Sequence, residues 1–285
     1  MKIMWDTFHS WIRLCRLHRP LPLLFFFFPC IWGNLLVHKG VLNWTEACFF
    51  LAGCIWARSI GCAINDYLDR TIDSHVTRTQ HRPLACGALS PSHVRKGLLF
   101  FLATGIFFLC VLPSSLHLLA IISACATLAY PLCKRFFPLP QLFLGFTINC
   151  GVLMSYGWAC PLWWAHTDVW VLYIIAVLWT MEYDTLYGYQ DILEDRLLAL
   201  HSLPLMLGEP PTPMRYFFRL CLLLRTSLII ALYKKVSLLP ILFLWVLRRW
   251  HTFSHLPFSH PLSYEKAFRT SLWEGVLLSV LLTYR

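Results

Sequence analysis

The chain has 285 residues, is 58% hydrophobic and only 13% charged, and has a mean hydropathy of +0.60. That balance excludes a soluble globular domain and points to an all-α polytopic membrane protein, one integral-membrane domain over residues 1–285. The formal charge of +10 does not make it a nucleic-acid binder, because the basic residues lie mostly in short loops between apolar runs, as membrane orientation requires.

In chain order, residues 1–19 read as a basic amphipathic lead-in with Arg13, Arg16 and Arg19. The apolar run after it is long and lacks a small-residue cleavage site, so it reads as a span rather than a cleavable signal. Nine spans are expected: about 20–37, 41–64, 97–112, 115–132, 141–158, 169–188, 216–233, 237–247 and 270–284. The last two are short for a helix crossing a bilayer. Two polar loops, 65–95 and 189–215, interrupt the series, and the spans are expected to surround a central cavity. Twelve cysteines are scattered through the apolar segments without a C-x-x-C pair, and read as small hydrophobes rather than disulfides or zinc ligands. With Arg58, Arg219 and Arg225 assigned to spans, 17 of the remaining Lys and Arg residues fall on the side of the N-terminus and 4 on the other. The positive-inside rule then puts the N-terminus and both acidic loops in the cytoplasm and the C-terminus outside.

The first polar loop opens on Asn65, Asp66, Asp69 and Asp73. The three aspartates stand at i, i+3 and i+7, one face of a helix. Three neighbouring anions need a cation among them. Magnesium prefers oxygen ligands and is commonly held by a few carboxylates together with substrate phosphates. Arg78, His81 and Arg82 follow at once. Acid for metal and base for phosphate, at the end of a membrane helix, outline a diphosphate site.

A second acidic stretch repeats the pattern. Asp184, Asp191 and Asp195 fall at i, i+7 and i+11, with Glu182 and Glu194 nearby. Eight of the chain's fourteen acids thus sit in two short windows at one membrane surface. Acids at membrane depth are costly and default to function. Two facing clusters are suited to two or more Mg2+ ions bridging a departing diphosphate. An allylic diphosphate would leave a carbocation that needs a dry, aromatic pocket. No single aromatic residue is singled out for that role.

At these residues the sequence resembles the UbiA superfamily of intramembrane aromatic prenyltransferases. The family's N-D-x-x-D-x-x-x-D and R-T-x-x-R-P elements are matched by Asn65, Asp66, Asp69, Asp73, Arg78, Thr79, Arg82 and Pro83. Its Y-D-T-x-Y and D-x-x-x-D elements are matched by Tyr183, Asp184, Thr185, Tyr187, Asp191 and Asp195. Tyr130-Pro131 with Lys134-Arg135, then Pro140-Gln141 and Leu144-Gly145, look like the stretch between them, and Leu14–Pro20 resembles the family's lead-in. The likeness covers about residues 10–205. The form of the second motif looks most like the branch that prenylates 4-hydroxybenzoate on the way to ubiquinone. After Asp195 the pattern departs: Leu197 stands near where a lysine is expected, with Arg196 and His201 the nearest bases, and Ser271 stands where an asparagine is expected.

The resemblance implies the following roles. Asp66, Asp69, Asp73, Asp191 and Asp195 would hold Mg2+, and Asn65 would join them at the diphosphate. Arg78, Arg82, Lys134 and Arg135 would contact diphosphate oxygens, although Lys134 and Arg135 also suit plain positive-inside anchoring. Arg58, inside a span and seven residues before Asn65, needs a partner, either the substrate carboxylate or Asp66. Asp184 would orient the aromatic acceptor or take its ring proton, or else pair with Arg58 or Lys134. The substrates would be a polyprenyl diphosphate and 4-hydroxybenzoate, in contact with membrane lipid, in a bacterial inner membrane. Three rival readings stay open: a sister prenyltransferase with another aromatic acceptor, a transporter whose acids line a pathway, and a homologue that only binds lipid diphosphate.

Overall fold

The computed structural model describes residues 2–75, 79–197, 199–208, 212–232, 239–255 and 261–284, and within them the chain is helical with no strand. A lead-in helix α1 (Lys2–Leu14) precedes α2 (Leu21–Val37) and α3 (Trp44–Leu68). A short α4 (Arg70–Asp73) then leads to α5 (Pro91–Val111) and α6 (His117–Phe136). The fifth expected span is two helices, α7 (Pro140–Ile148) and α8 (Cys150–Ala159). It is followed by α9 (Thr167–Gly188), the short α10 (Ile192–Leu197) and α11 (Leu203–Leu207). The long α12 (Thr212–Leu232), α13 (Leu239–His255) and α14 (Pro261–Thr283) complete the chain.

Every expected span is therefore a helix or a helix pair, but several ends move. α3 runs past 64 to Leu68, so Asn65 and Asp66 belong to the helix and not to a loop. At about 1.5 Å per residue its 25 residues span roughly 38 Å, more than the roughly 30 Å hydrocarbon core. The far end with Asp66 therefore emerges at the surface. α13 and α14 are longer than hydropathy suggests, reaching His255 and starting at Pro261. Among the described residues four segments, 44–68, 91–111, 140–159 and 167–191, are long and apolar enough to cross a membrane. The last three helices carry Arg225, Arg249 and Glu274, which dilute the hydropathy but are buried.

α9 is the central element. It packs against α2, α7, α8, α12 and α14, and its Leu172, Ile175, Ala176 and Leu186 are wholly buried. The α7–α8 break is sealed by Asn149, whose amide donates to the Gly145 carbonyl (2.7 Å) and to Thr180 Oγ1 on α9 (2.8 Å). α5 is the peripheral counterpart. It packs on α3, where Trp56 donates to the Phe101 carbonyl (2.9 Å), while Leu99, Phe100 and Phe107 are about two-thirds exposed, as a lipid-facing surface requires.

The end opposite the acidic motifs is closed by a polar knot. Buried Glu46, at the start of α3, accepts from Asn34 (2.9 Å) and Asn43 (3.0 Å) and meets His38 Nε2 at 3.0 Å. Asn43 caps α3 by accepting from the Glu46 amide (3.4 Å). All twelve cysteines are free thiols, six of them buried and four exposed.

Gly33 lets α2 and α8 touch backbone to backbone: a Cβ there would strike the Val152 carbonyl oxygen, whereas one at Gly53 would meet nothing within 4 Å. Gly33→Ala is expected to destabilise the protein by about 1–3 kcal/mol. Gly53→Ala should stabilise it by up to about 1 kcal/mol. Thermal unfolding in detergent separates the two, and equal shifts would contradict the packing described.

Candidate active site

Four helix ends converge on one surface. α3 delivers Asn65 and Asp66, the link to α4 delivers Asp69, and α4 delivers Asp73. The last turn of α6 carries Lys134 and Arg135. α9 ends with Asp184, and the tight turn and helix after it hold Asp191 and Asp195. A helix C-terminus favours cations, which suits the two bases of α6.

The first cluster is held by arginines. Arg82 Nη1 lies 2.7 Å from Asp73 Oδ2 and 3.2 Å from Asp66 Oδ1. Thr79 fixes the return of the loop by donating to the Asp73 carbonyl (3.1 Å). Asp66 is almost wholly buried. Its second partner is Arg16, whose Nη2 reaches Oδ1 at 2.8 Å and Oδ2 at 3.2 Å. Arg78 lies outside the described residues.

The sequence left Arg58 a choice of partner, the substrate carboxylate or Asp66, and in the structure it is Arg16 that contacts Asp66. Arg58 donates instead to the main-chain carbonyls of Arg19 (2.9 Å) and Arg16 (3.4 Å). Both carbonyls lie in the turn between α1 and α2, and the guanidinium on α3 takes them. Arg58 thus supports the turn that aims Arg16, and Arg16 sits in the left-handed region with φ 57°, a conformation that non-glycine residues keep only when held. The one sequence signal for Arg16 was its place in the lead-in that resembles the family.

The two acidic clusters are joined through consecutive residues. Lys134 Nζ lies 3.3 Å from Asp195 Oδ1, and Arg135 Nη2 lies 3.5 Å from Asp69 Oδ1. The Lys134 carbonyl also accepts from the His201 amide (2.7 Å), which docks the second acidic loop on α6. Asp184 lies within electrostatic range of Lys134, Asp191 and Asp195. Asn65 is half-buried, and its carbonyl accepts from the Asp69 amide (2.9 Å). Burial, then the charge of Asp73, push the Asp69 carboxyl above its ordinary range, against Arg135 and Arg82. Leu197, near where a lysine is expected, points into solvent with 86% exposure.

Glu182 does not belong to this site, although the sequence placed it near the second cluster. It is fully buried and paired with Arg225 and Arg249, on the opposite side of α9 from Asp184. Ser271, at the position of the expected asparagine, is also fully buried there. It accepts from Arg249 (3.4 Å) through its hydroxyl and from Trp179 Nε1 (3.1 Å) through its carbonyl. Between α2, α9 and α14, the rings of Phe25, Trp179, Tyr183 and Phe268 form one cluster, with Phe25 and Tyr183 centroids 4.1 Å apart.

Among the described residues no three acidic, His or Cys side chains form a ready-made metal cage. The donor set nevertheless suits a hard divalent ion, being carboxylate oxygen throughout. Asp195 Oδ2 is buried with no hydrogen-bond partner among the described residues, the kind of atom a cation would satisfy.

The profile of the UbiA prenyltransferase family matches residues 26–272. A 4-hydroxybenzoate octaprenyltransferase from Legionella pneumophila (strain Lens) is 36% identical over 194 residues, 68% of each chain. One from Francisella tularensis subsp. tularensis (strain FSC 198) is 33% identical over 203 residues, 70% of each. Among solved structures, a UbiA homologue from Aeropyrum pernix K1 superposes with a TM-score of 0.66 at 21% identity, over 90% of this chain and 98% of that one. A UbiA homologue from Archaeoglobus fulgidus bound to GPP and Mg2+ gives 0.69 at 14% identity, over 97% and 100%. At those identities the likeness speaks for the fold alone.

The two bridging bases differ in environment. Lys134 is 33% exposed beside an Asp195 at 5%, and Arg135 is 54% exposed beside an Asp69 at 29%. Lys134→Met should therefore cost about 1–3 kcal/mol of stability, through the stranded carboxylate. Arg135→Met should cost about 0–1 kcal/mol. Thermal unfolding in detergent checks the order, and a larger loss at Arg135 would reverse it.

Proposed function

The chain belongs to the UbiA prenyltransferase family, and from that premise we propose that it transfers a polyprenyl group from polyprenyl diphosphate to 4-hydroxybenzoate in ubiquinone biosynthesis. The supporting observation is the Lys134-Arg135 pair, one base on each acidic cluster, which leaves a single anion-binding face between them. The relatives named 4-hydroxybenzoate octaprenyltransferase supply the acceptor and the class of donor.

In this reading Asp66, Asp69 and Asp73 with Asp191 and Asp195 hold Mg2+. When bound, the ion supplies positive charge that offsets the charge growing on the leaving diphosphate. Arg82, Lys134 and Arg135, with Arg16 and Arg78, hold the diphosphate oxygens, exchanging carboxylate partners for phosphate, and Asn65 adds an amide. Arg58 keeps the Arg16 turn in place, which takes it out of direct contact with Asp66. The aromatic cluster of Phe25, Trp179, Tyr183 and Phe268 excludes water between α2, α9 and α14.

The allylic carbon–oxygen bond breaks, and its electron pair leaves with the diphosphate. The ring carbon of 4-hydroxybenzoate ortho to the hydroxyl and meta to the carboxylate forms the new bond to the allylic carbon. The ring proton leaves last, and Asp184 is placed to orient the acceptor or accept that proton. Positioning and fixed charge carry most of the rate. The whole chain acts as one integral-membrane domain, with the site on the cytoplasmic face of a bacterial inner membrane by the charge count above.

Detergent-purified protein incubated with Mg2+, labelled polyprenyl diphosphate and 4-hydroxybenzoate is expected to yield the prenylated acid by mass, and EDTA should abolish it. Asp66→Ala and Asp191→Ala are each expected to lower turnover by about 100-fold or more. Full activity in both variants would overturn the metal assignment. Product only with a different phenolic acceptor would keep the reaction class and overturn the substrate.

A further inference from the structure

Two acids and two bases are buried together where the reaction does not reach. Glu182 of α9 is 0% exposed, and Arg225 of α12, Arg249 of α13 and Glu274 of α14 are 5% exposed or less. Arg225 Nη2 lies 3.2 Å from Glu182 Oε2 and 2.7 Å from Glu274 Oε2. Arg249 pairs with both glutamates through Nη2 and Nε, and donates to Thr270 Oγ1 (3.1 Å). The two guanidiniums lie over aromatic rings, Arg225 on Trp245 and Arg249 on Phe253. A cavity of about 20 Å³ sits against Arg225 and Glu274, lined by Trp32, Trp179 and Trp245.

The network is neutral in sum and joins four helices. As a source of stability it has little advantage, since well-packed apolar residues of similar volume often do as well as a buried ion pair. What an ion pair offers that a leucine does not is direction. α9 needs direction, because it is buried on nearly every side: Ala176, Val177, Trp179 and Thr180 are all covered. Hydrophobic packing alone therefore gives it little preference for one rotation. Residues 182 and 184 are about 200° apart around a helix. With Glu182 held toward α12, α13 and α14, Asp184 must face the other side, where Lys134 and Asp195 stand. Thr180 lies one turn before Asp184 on that face and is held there by Asn149.

We propose that Glu182 is a positioning residue: clamped by Arg225 and Arg249, it sets the rotation of α9 and so the aim of Asp184 into the prenyl-transfer site. The inference rests on the functional reading above only for the identity of the reaction.

The test uses the full chain carrying both Glu182→Gln and Arg249→Met. The two changes remove one anion and one cation and leave Arg225 paired with Glu274, so no charge is stranded. The melting temperature should stay near that of wild type, while kcat for prenyl transfer falls about ten- to a hundred-fold and KM for the diphosphate changes little. Recovery of kcat along with the melting temperature would overturn the proposal and leave the network an ordinary stabilising contact. Should the double variant not fold, Glu182→Asp replaces it, keeping the charge on a shorter arm. A retained melting temperature with lowered kcat supports the clamp, and wild-type kcat overturns it. If wild-type protein turns over no acceptor, the functional reading fails by itself. Amide exchange across residues 180–188 then decides the clamp: about ten-fold faster in the variant supports it, and equal exchange overturns it.

Discussion

A carboxylate taken out of water must find a cation or a set of donors, and this constraint shapes the molecule at three levels of the bilayer. At one surface Asp66 and Asp73 share Arg82, and Asp195 takes Lys134. In the interior Glu182 and Glu274 share Arg225 and Arg249. At the far surface Glu46 is enclosed by Asn34, Asn43 and His38. Each carboxylate is bound by residues from other segments, so charge pairing decides which helices meet. Apolar contact then fills in between.

The surface set differs in kind from the interior one. Interior pairs are shut away and mutually satisfied, which suits a permanent structural joint. The surface pairs are graded, from an almost enclosed Asp66 to a half-exposed Arg135. Their arginines and lysine keep part of their surface open, whereas Arg225 and Arg249 do not. The same chemistry is therefore sealed in one place and open in another, and depth decides which.

Much of this was legible in the sequence, and the rest was hidden for physical reasons. Hydropathy marks spans because every lipid-facing turn must be apolar, so the run Phe25–Phe28 and the apolar face of α5 are plain. The acidic repeats are legible because helical spacing survives as a pattern of residue numbers. Hydropathy fails for α13 and α14, because it counts Arg249 and Glu274 as water-seeking when each is neutralised by a partner far away in sequence. It fails again for Glu182, since adjacency to Asp184 in the chain is opposition on the helix. The Arg16 contact with Asp66 was hidden because a turn after α1, invisible to any periodic pattern, brings the lead-in back over the first cluster.

The two enclosed networks also differ in when they can be completed. Glu46 finds its partners within thirteen residues, between Asn34 and Glu46 itself, so the first helical hairpin can satisfy its own acid soon after synthesis. Glu182 waits for residues 225 and 249, and Arg249 in turn for Glu274. During vectorial insertion the first six spans therefore enter the bilayer carrying a carboxylate with no counterion until the last three arrive. Contacts of such long sequence separation form late, so the arrival of the C-terminal helices is the event that completes the assembly.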